Sequence, residues 1–156
     1  MNKVDREILN ILQLDSRKSY SSIGEVVGLS VTAVKDRIDK LQAKGVFQNF
    51  SIKLNRERVG ADVLAFVQVA IDRLEDCQTF ETEMRNTDSV LECHHITGAF
   101  NYLLKLVAPS MAELEKILTD DIKIAGVVGR TETTIVFSSQ KDSAFINCVK
   151  MGEGNE

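Results

Sequence analysis

Cys93, His94 and His95 stand next to each other and come nearest to a metal-binding group in this sequence. Thiolate and imidazole groups are ligands that suit zinc and copper. On a strand, however, Cys93 and His95 point to one face and His94 points to the other. Because no fourth ligand is evident, a half-buried histidine or the lining of a ligand pocket is the favoured interpretation, and we predict no metal.

Sequence patterns that carry catalysis are missing. There is no Ser-His-Asp order, no Walker loop, no paired-carboxylate site and no Gly-x-Gly-x-x-Gly run. We therefore predict a protein that is not an enzyme and that uses no cofactor. Cys77, Cys93 and Cys148 are odd in number and far apart, which fits a reducing compartment rather than a disulfide framework. Without a signal pattern or an apolar run of membrane-spanning length, the expected location is the cytoplasm.

A different chemistry, the recognition of DNA, is suggested by residues 30–40. The apolar spacing of Val34, Ile38 and Leu41 predicts a helix over about 31–44. Its outward side chains include groups that contact thymine methyls, guanine or phosphate. Asp36 either accepts a hydrogen bond from cytosine or pairs with the lysine four residues on, and the pair is favoured. The predicted DNA-binding residues are Ser30, Thr32, Ala33, Lys35, Asp36, Arg37 and Lys40.

Two glycines and a valine predict how this helix is held. In a helix-turn-helix, two short helices cross over a tight turn. Gly24 supplies the small residue at the crossing, Gly28 supplies the positive-φ residue of the turn, and Val34 packs back into the angle. A three-helix cluster that binds no DNA, or one that docks on a protein, is the alternative. The spacing favours DNA binding.

The charge is unevenly spread along the chain. Residues 1–60 carry 11 Lys and Arg against 7 Asp and Glu, a net +4, whereas residues 61–156 carry 8 against 16, a net −8. A basic first third indicates that only this part meets a polyanion. The alternative is a chance asymmetry of solvated faces.

Beyond residue 45 the apolar period changes from that of helices to that of strands. Residues 46–55 read as a strand leaving the helices, and residues 61–138 read as strand, helix, strand, strand, helix, strand. This order is the ferredoxin-like split βαβ arrangement. Residues 143–150 are expected to form a short closing helix. Such a sheet leaves one face bare, so we expect this part to dimerise.

The chain resembles the Lrp/AsnC (feast/famine) family of transcription regulators over nearly its whole length. The stretches that carry the resemblance are VDREILNILQLDSRKSYSSIGEVVGLSVTAVKDRIDKLQAKGVF, VLECHHITGAFNYLLKL and IAGVVGRTETTIVF. The resemblance implies an α+β chain: a winged-type helix-turn-helix domain over 1–46, a hinge strand or linker over 47–61, and a RAM/ACT-like αβ sandwich of βαββαβ order over 62–156. It also implies homodimers that assemble to octamers, and a small effector, usually an amino acid, bound between dimers.

The resemblance places the effector near the loop ITGAFNY. Of the loop, the implied effector-binding residues are Thr97, Gly98, Ala99, Phe100, Asn101 and Tyr102. His95, as the lining of a ligand pocket, and Thr133 are added from the residues themselves; for Thr133 the favoured alternative is an ordinary threonine-rich strand. The family commonly has an acidic residue where Asn101 stands and often another near Ala99, so binding of an ammonium group is in question here. Val31 and Ala125 replace prolines that are frequent in the family.

We therefore expect a transcription regulator that binds a pseudo-palindromic double-stranded DNA site and responds to a small metabolite. One alternative is a metabolite-binding module that docks on an enzyme. A non-specific architectural DNA-binding protein is another.

Overall fold

Three helices form the amino-terminal part of the chain in a computed structural model that describes residues 1–123 and 126–152. They are α1 (Lys3–Leu14), α2 (Tyr20–Val27) and α3 (Val31–Ala43). The side chains of Asn2, Ser19 and Ser30 each accept a backbone N–H of the first turn that follows, which is why the helices begin there. The apolar faces meet in a core made of Ile8, Leu12, Ile23, Val34 and Ile38. We call α1–α3 the head.

A four-stranded antiparallel sheet forms the second part. Its strands are β1 (Val63–Ile71), β2 (Val90–His95), β3 (Tyr102–Ala108) and β4 (Val128–Ile135), in the order β2-β3-β1-β4. Helices α4 (Cys77–Asn86) and α5 (Met111–Lys116) connect them, and α5 continues as a π-helical turn over Ile117–Ile122. The predicted ferredoxin-like order is confirmed.

One face of this sheet holds the core of the second part. Alternate residues of β1 and β3 are buried there together with Phe80 and Met84 of α4, Leu114 of α5 and Ile122 of the π-helical turn. The opposite face carries the intervening residues, among them Phe66, Leu103 and Val107, which stay partly exposed. The expected bare sheet face is therefore present in the protomer.

The described chain forms two compact units. The first unit is Met1–Lys53 together with the described residues from Lys141 onward, and the second is Leu54–Gln140. The predicted closing helix is α6, Cys148–Gly152, which begins later than residue 143 because Oδ1 of Asn147 accepts the backbone N–H of Lys150 and so starts it.

The hinge strand predicted over residues 46–55 is not formed within the described chain. We call residues 44–62 the linker; all of them are described, they contain no strand, and a 3₁₀ turn at Glu57–Val59 is their one regular element. A strand exists only when a neighbour bonds its N–H and C=O groups, and a period-2 pattern cannot supply that neighbour. Ala125 and residues 153–156 lie outside the described residues. Within the described ranges no helix is long and apolar enough to cross a membrane.

Candidate functional site

The turn between α2 and α3 has the geometry that the glycine spacing predicted. A Cβ on Gly24 would lie 2.4 Å from the carbonyl oxygen of Leu29 and 3.7 Å from Cγ2 of Val34, so the crossing has no room for a side chain. Gly28 ends α2 in the left-handed conformation, with φ 70° and ψ 38°. Gly24 and Val34 thus meet at the crossing, and Gly28 makes the turn between the two helices.

Helix α3 presents a polar face outside this packed turn. Ser30 Oγ accepts the Ala33 N–H at 3.2 Å and fixes the amino-terminal end of the helix. Thr32, Lys35, Asp36 and Lys40 are exposed, whereas Ala33 and Arg37 are half-buried. The helix therefore offers its first turn and its basic side chains to a partner, while Val34, Ile38 and Leu41 face the core.

Arg37 is held by an ion pair that the sequence reasoning missed. Its Nη1 lies 2.7 Å from Oδ1 of Asp5 in the first turn of α1, and the side chain of Asp5 is only 17% exposed. The favoured pair of Asp36 with Lys40 is not formed among the described residues. Because Asp5 and Arg37 are 32 positions apart, no local spacing rule connects them. A surface groove of about 320 Å³ opens beside this pair and reaches Lys40 and Lys44.

Asn101, in the loop between β2 and β3, makes three hydrogen bonds within the fold. Its side-chain oxygen accepts the Ile71 N–H at 2.8 Å, its own N–H donates to Val69 at 2.9 Å, and its carbonyl accepts the Ile96 N–H at 2.8 Å. Asn101 therefore anchors the loop on the end of β1. We call residues 96–101 the ligand loop.

A cation of β4 lies against the ligand loop, and sequence reasoning also missed it. The guanidinium carbon of Arg130 on β4 lies 4.4 Å from the centre of the Phe100 ring, a cation–π distance. Phe100 is 8% exposed, so the ring is a fixed support, and Arg130 has no ion pair among the residues that the structure describes. No motif links a loop residue to a strand residue 30 positions later, so the sequence held no signal for this contact.

Four of the remaining predicted effector residues lie in the loop or directly after it, and they differ in exposure. Thr97, Gly98 and Ala99 are exposed at the tip of the loop. Tyr102 is 1% exposed, and its hydroxyl donates to Glu81 at 2.7 Å. Burial first, and the hydrogen bond to Glu81 second, raise the pKa of Tyr102, so the phenol stays protonated.

His95 and Thr133 lie apart from the exposed tip of the loop. The His95 ring stacks on Tyr102 with centroids 5.0 Å apart. Thr133 is exposed on β4, opposite Val67 and across β1 from β3. These two residues therefore lie on strands β2 and β4 of the sheet and not in the loop itself.

Cys93, His94 and His95 do not come together as metal ligands. His94 turns to Glu92, 3.1 Å from its carboxylate, while His95 stacks on Tyr102. Burial, and then the charge of Glu81, raise the pKa of Cys93, so its sulfur favours the thiol over the thiolate that binds metals. Among the described residues no group of three or more potential ligands has a metal-binding arrangement.

The match to known proteins covers both parts of the chain. The profile of the AsnC-type helix-turn-helix domain matches residues 1–42, and that of the Lrp/AsnC ligand binding domain matches residues 64–145. The leucine-responsive regulatory protein of Escherichia coli K12 is 32% identical over 145 residues, which cover 92% of this chain and 88% of that protein. The chain belongs to the Lrp/AsnC family.

Solved structures of Lrp/AsnC proteins have the same fold. The structure of E. coli AsnC superposes with a TM-score of 0.86 at 23% identity, covering 93% of this chain and 97% of that chain. A transcriptional regulator from Neisseria meningitidis, solved as a complex with L-Met, gives a TM-score of 0.88 at 25% identity, covering 92% and 94%. This Lrp/AsnC chain is a transcriptional regulator with a helix-turn-helix head and a ligand-binding domain.

Proposed function

We propose that this regulator binds pseudo-palindromic DNA as a dimer or a larger assembly, and that a small carboxylate ligand at the ligand loop changes its DNA affinity. The exposed amino-terminal half of α3, held by the Gly24 crossing, is the observation that carries the DNA-binding part. In helix-turn-helix proteins the second helix lies in the major groove and its first residues contact base edges.

The positions on α3 suggest a division of labour among its side chains. Ser30, Thr32 and Ala33 lie in the turn that would face base edges, where methyl groups and hydroxyls contact thymine or accept and donate hydrogen bonds. Lys35 and Lys40 are exposed cations for guanine or phosphate, and Asp36 is an exposed acceptor for cytosine. Arg37 approaches phosphate while Asp5 orients its guanidinium.

Unpartnered apolar surface supports assembly. Phe50, Ile52 and Leu54 alternate along the linker and are 49%, 78% and 59% exposed. A strand-like stretch with no pairing strand in the described part of its own chain fits pairing with the same stretch of a second copy. The bare face of the sheet would be covered in the same dimer. Paired heads require half-sites about one or two DNA turns apart, at roughly 34 Å per turn.

The ligand site is proposed at the exposed tip of the ligand loop, next to Arg130. One relative was solved with L-Met and others are leucine-responsive regulators, so an amino acid is the first class of ligand to test. The loop has no acidic residue for an ammonium group, whereas Arg130 offers a guanidinium to a carboxylate. We infer that the carboxylate gives the main polar contact and that 2-oxo acids also bind.

DNA binding is tested by gel shift of the full chain against genomic fragments at two salt concentrations. We expect a few fragments to bind at least about tenfold more tightly than the rest, and Lys35→Ala to weaken that preference. Gln42→Ala, an exposed change beyond the proposed contact face, is the control. Salt-sensitive binding without fragment preference would favour an architectural protein, and the absence of DNA binding would favour docking on an enzyme.

Ligand binding is tested by a thermal-shift screen of amino acids and their 2-oxo acids. Arg130→Ala is expected to remove the shift given by the best ligand, and Arg85→Ala, an exposed arginine on α4, is the matched control. A ligand that stabilises both variants equally would show that Arg130 is not the carboxylate partner.

A further inference from the structure

The end of the chain lies along α1 through bonds to its own main chain. Gln13 contacts both polar groups of one peptide residue: its Nε2 donates to the carbonyl of Ile146 at 2.9 Å, and its Oε1 accepts the Ile146 N–H at 2.9 Å. A side-chain amide that satisfies the donor and the acceptor of one residue imitates a strand neighbour. We call residues 146–148 the docked segment.

Two further side chains of α1 continue the same contact. Asn10 accepts the Cys148 N–H at 2.9 Å through Oδ1 and donates to Oδ1 of Asn147 at 3.2 Å through Nδ2. Arg6 donates to the carbonyl of Cys148 at 3.0 Å. Arg6, Asn10 and Gln13 are spaced by four and three residues, so they form one stripe on the surface of α1.

We propose that this stripe is a docking site for the chain's own carboxyl-terminal segment, and that the docked segment is a second tether between the ligand-binding domain and the head. The first tether is the linker. The second is the irregular stretch that follows β4, residues 136–147, whose end is held on α1.

The stripe lies on the helix that supports the DNA-binding helix. Ile8 and Leu12 of α1 share a core with Val34 and Ile38 of α3, and Asp5 of α1 holds Arg37. A change in β4 therefore has a covalent path to α1 that does not pass through the linker. A head that is connected to both ends of the ligand-binding domain can take up fewer positions than a head that is connected to one end only.

The contacts select a main chain rather than particular side chains. Four of the six bonds go to backbone groups of Ile146 and Cys148. The other two go to side chains, Oδ1 of Asn147 and, at 3.6 Å, Sγ of Cys148. Lys53 of the linker also lies 2.9 Å from a carboxylate oxygen of Asp142, just before the docked segment. The two tethers thus touch each other next to the head.

Docking is tested by amide exchange on the full chain, followed residue by residue with NMR. We expect the N–H groups of Ile146 and Cys148 to exchange at least about tenfold more slowly than those of residues 139–141, whose N–H groups bond to no described residue. In an Asn10→Ala, Gln13→Ala double variant this protection is lost, while that of Ile38 in the head core is kept. Equal exchange in the double variant and the original chain would overturn the proposal. Protection that disappears on dilution would assign the segment to a second copy and overturn the same-chain assignment.

The role of the docked segment as a tether rests on the proposed function. It is tested by asking whether the segment is needed for a ligand to change the DNA affinity. The change in DNA affinity that the best ligand causes is measured for chains ending at residue 145 and at residue 148, which lack and keep the docked segment. We expect the shorter chain to lose most of the ligand effect on DNA affinity, to keep its ligand affinity, and to bind DNA without ligand within about threefold of the longer chain.

The two outcomes that contradict the proposals are distinguishable. A ligand effect of equal size in both truncated chains would overturn the tether. An original chain whose DNA affinity responds to no ligand would overturn the proposed function, and the exchange measurement would still decide whether the segment docks on α1.

Discussion

At the scale of single residues, Gly24 shows how a weak helix former becomes necessary. Its hydrogen leaves α2 close enough to the next turn that a Cβ would overlap the Leu29 carbonyl oxygen at 2.4 Å. The obstacle is main chain, which cannot move aside as a flexible side chain does. The helix-propensity cost of glycine, about 1 kcal/mol, is therefore offset by the close crossing.

Gly24→Ala is accordingly expected to destabilise the head by about 1–3 kcal/mol, the usual cost of overpacking. Urea unfolding followed by circular dichroism measures the loss, and DNA affinity should fall with it. Ser21→Ala, an exposed change on the same helix, is the control and should leave both unchanged. A Gly24→Ala chain as stable as the original would contradict the crossing geometry.

Asn101 is a second residue whose hydrogen bonds hold the local structure. Asn101→Ala leaves the N–H of buried Ile71 without its acceptor, so a loss of about 1–3 kcal/mol in the free energy of unfolding is expected. Asn101→Asp keeps an acceptor and should retain most of that stability. Chemical denaturation measures the free energy of unfolding of the two variants, and Thr97→Ala, in the exposed part of the loop, is the control. Equal losses in the aspartate and alanine variants would refute the anchoring role.

At the scale of elements, α3 combines a buried side that sets its position with an exposed side that can meet DNA. The exposed cations are expected to contact DNA phosphates. Removing one such cation from the interface lowers the slope of log affinity against log salt concentration by about one. Lys40→Ala should lower the slope in this way, as measured by titration of one DNA fragment at several salt concentrations. Lys18→Ala, outside α3, should leave the slope unchanged, and an unchanged slope for Lys40→Ala would remove Lys40 from the interface.

Arg37 behaves differently because its removal also leaves Asp5 without a partner. Breaking a half-buried pair removes a hydrogen bond as well as an attraction between opposite charges. Arg37→Ala is expected to lower both head stability and DNA affinity, whereas Lys35→Ala lowers DNA affinity alone. A stability measurement on the two variants therefore separates a positioning role from a direct contact.

The linker is the element that we propose to pair with a second copy of the chain. Ile52→Asp places a charge in the exposed apolar row and is expected to shift the oligomer towards monomer, as measured by analytical ultracentrifugation. Ser51→Asp is the control: it is one residue away and also exposed, and it places the same charge on the opposite side of an extended chain. An equal effect of both changes would indicate general charge repulsion, and no effect of either would remove the linker from the interface.

At the scale of the whole molecule, the proposed effect of a ligand on DNA affinity implies a thermodynamic link between the two binding events. A coupling of about 1–3 kcal/mol changes affinity by roughly 5- to 150-fold, and it acts equally in both directions. A ligand that tightens DNA binding tenfold must itself bind the DNA complex tenfold more tightly. Titration of ligand into the free protein and into its DNA complex checks this equality, and unequal factors would reveal a change of assembly state in one of the two titrations.

The net charge of −4 is the sum of two parts of the chain with opposite charge. The excess of acidic groups lies beyond residue 60, and the basic excess lies in the first third. The acidic ligand-binding part repels DNA, so it favours contact through the heads alone. The overall charge of the chain is therefore no guide to its affinity for DNA.

The local features of this protein were determined by sequence alone. The cap at Ser30, the left-handed Gly28, the packed Val34 and the succession of helices and strands along the chain follow from residue types at short spacing, because each depends on neighbours within about ten positions. The family assignment rests on the same local patterns in a fixed order.

The contacts decided only by tertiary structure join residues far apart in the chain. The Asp5–Arg37 pair, Arg130 over Phe100 and Gln13 on Ile146 link positions separated by 32, 30 and 133 residues. No spacing rule applies at such separations, since the chain path between the partners sets their geometry. The predicted hinge strand failed for the same reason: a strand requires hydrogen-bonding neighbours, and the alternation of apolar residues 50, 52 and 54 specifies a face without supplying the chain that covers it.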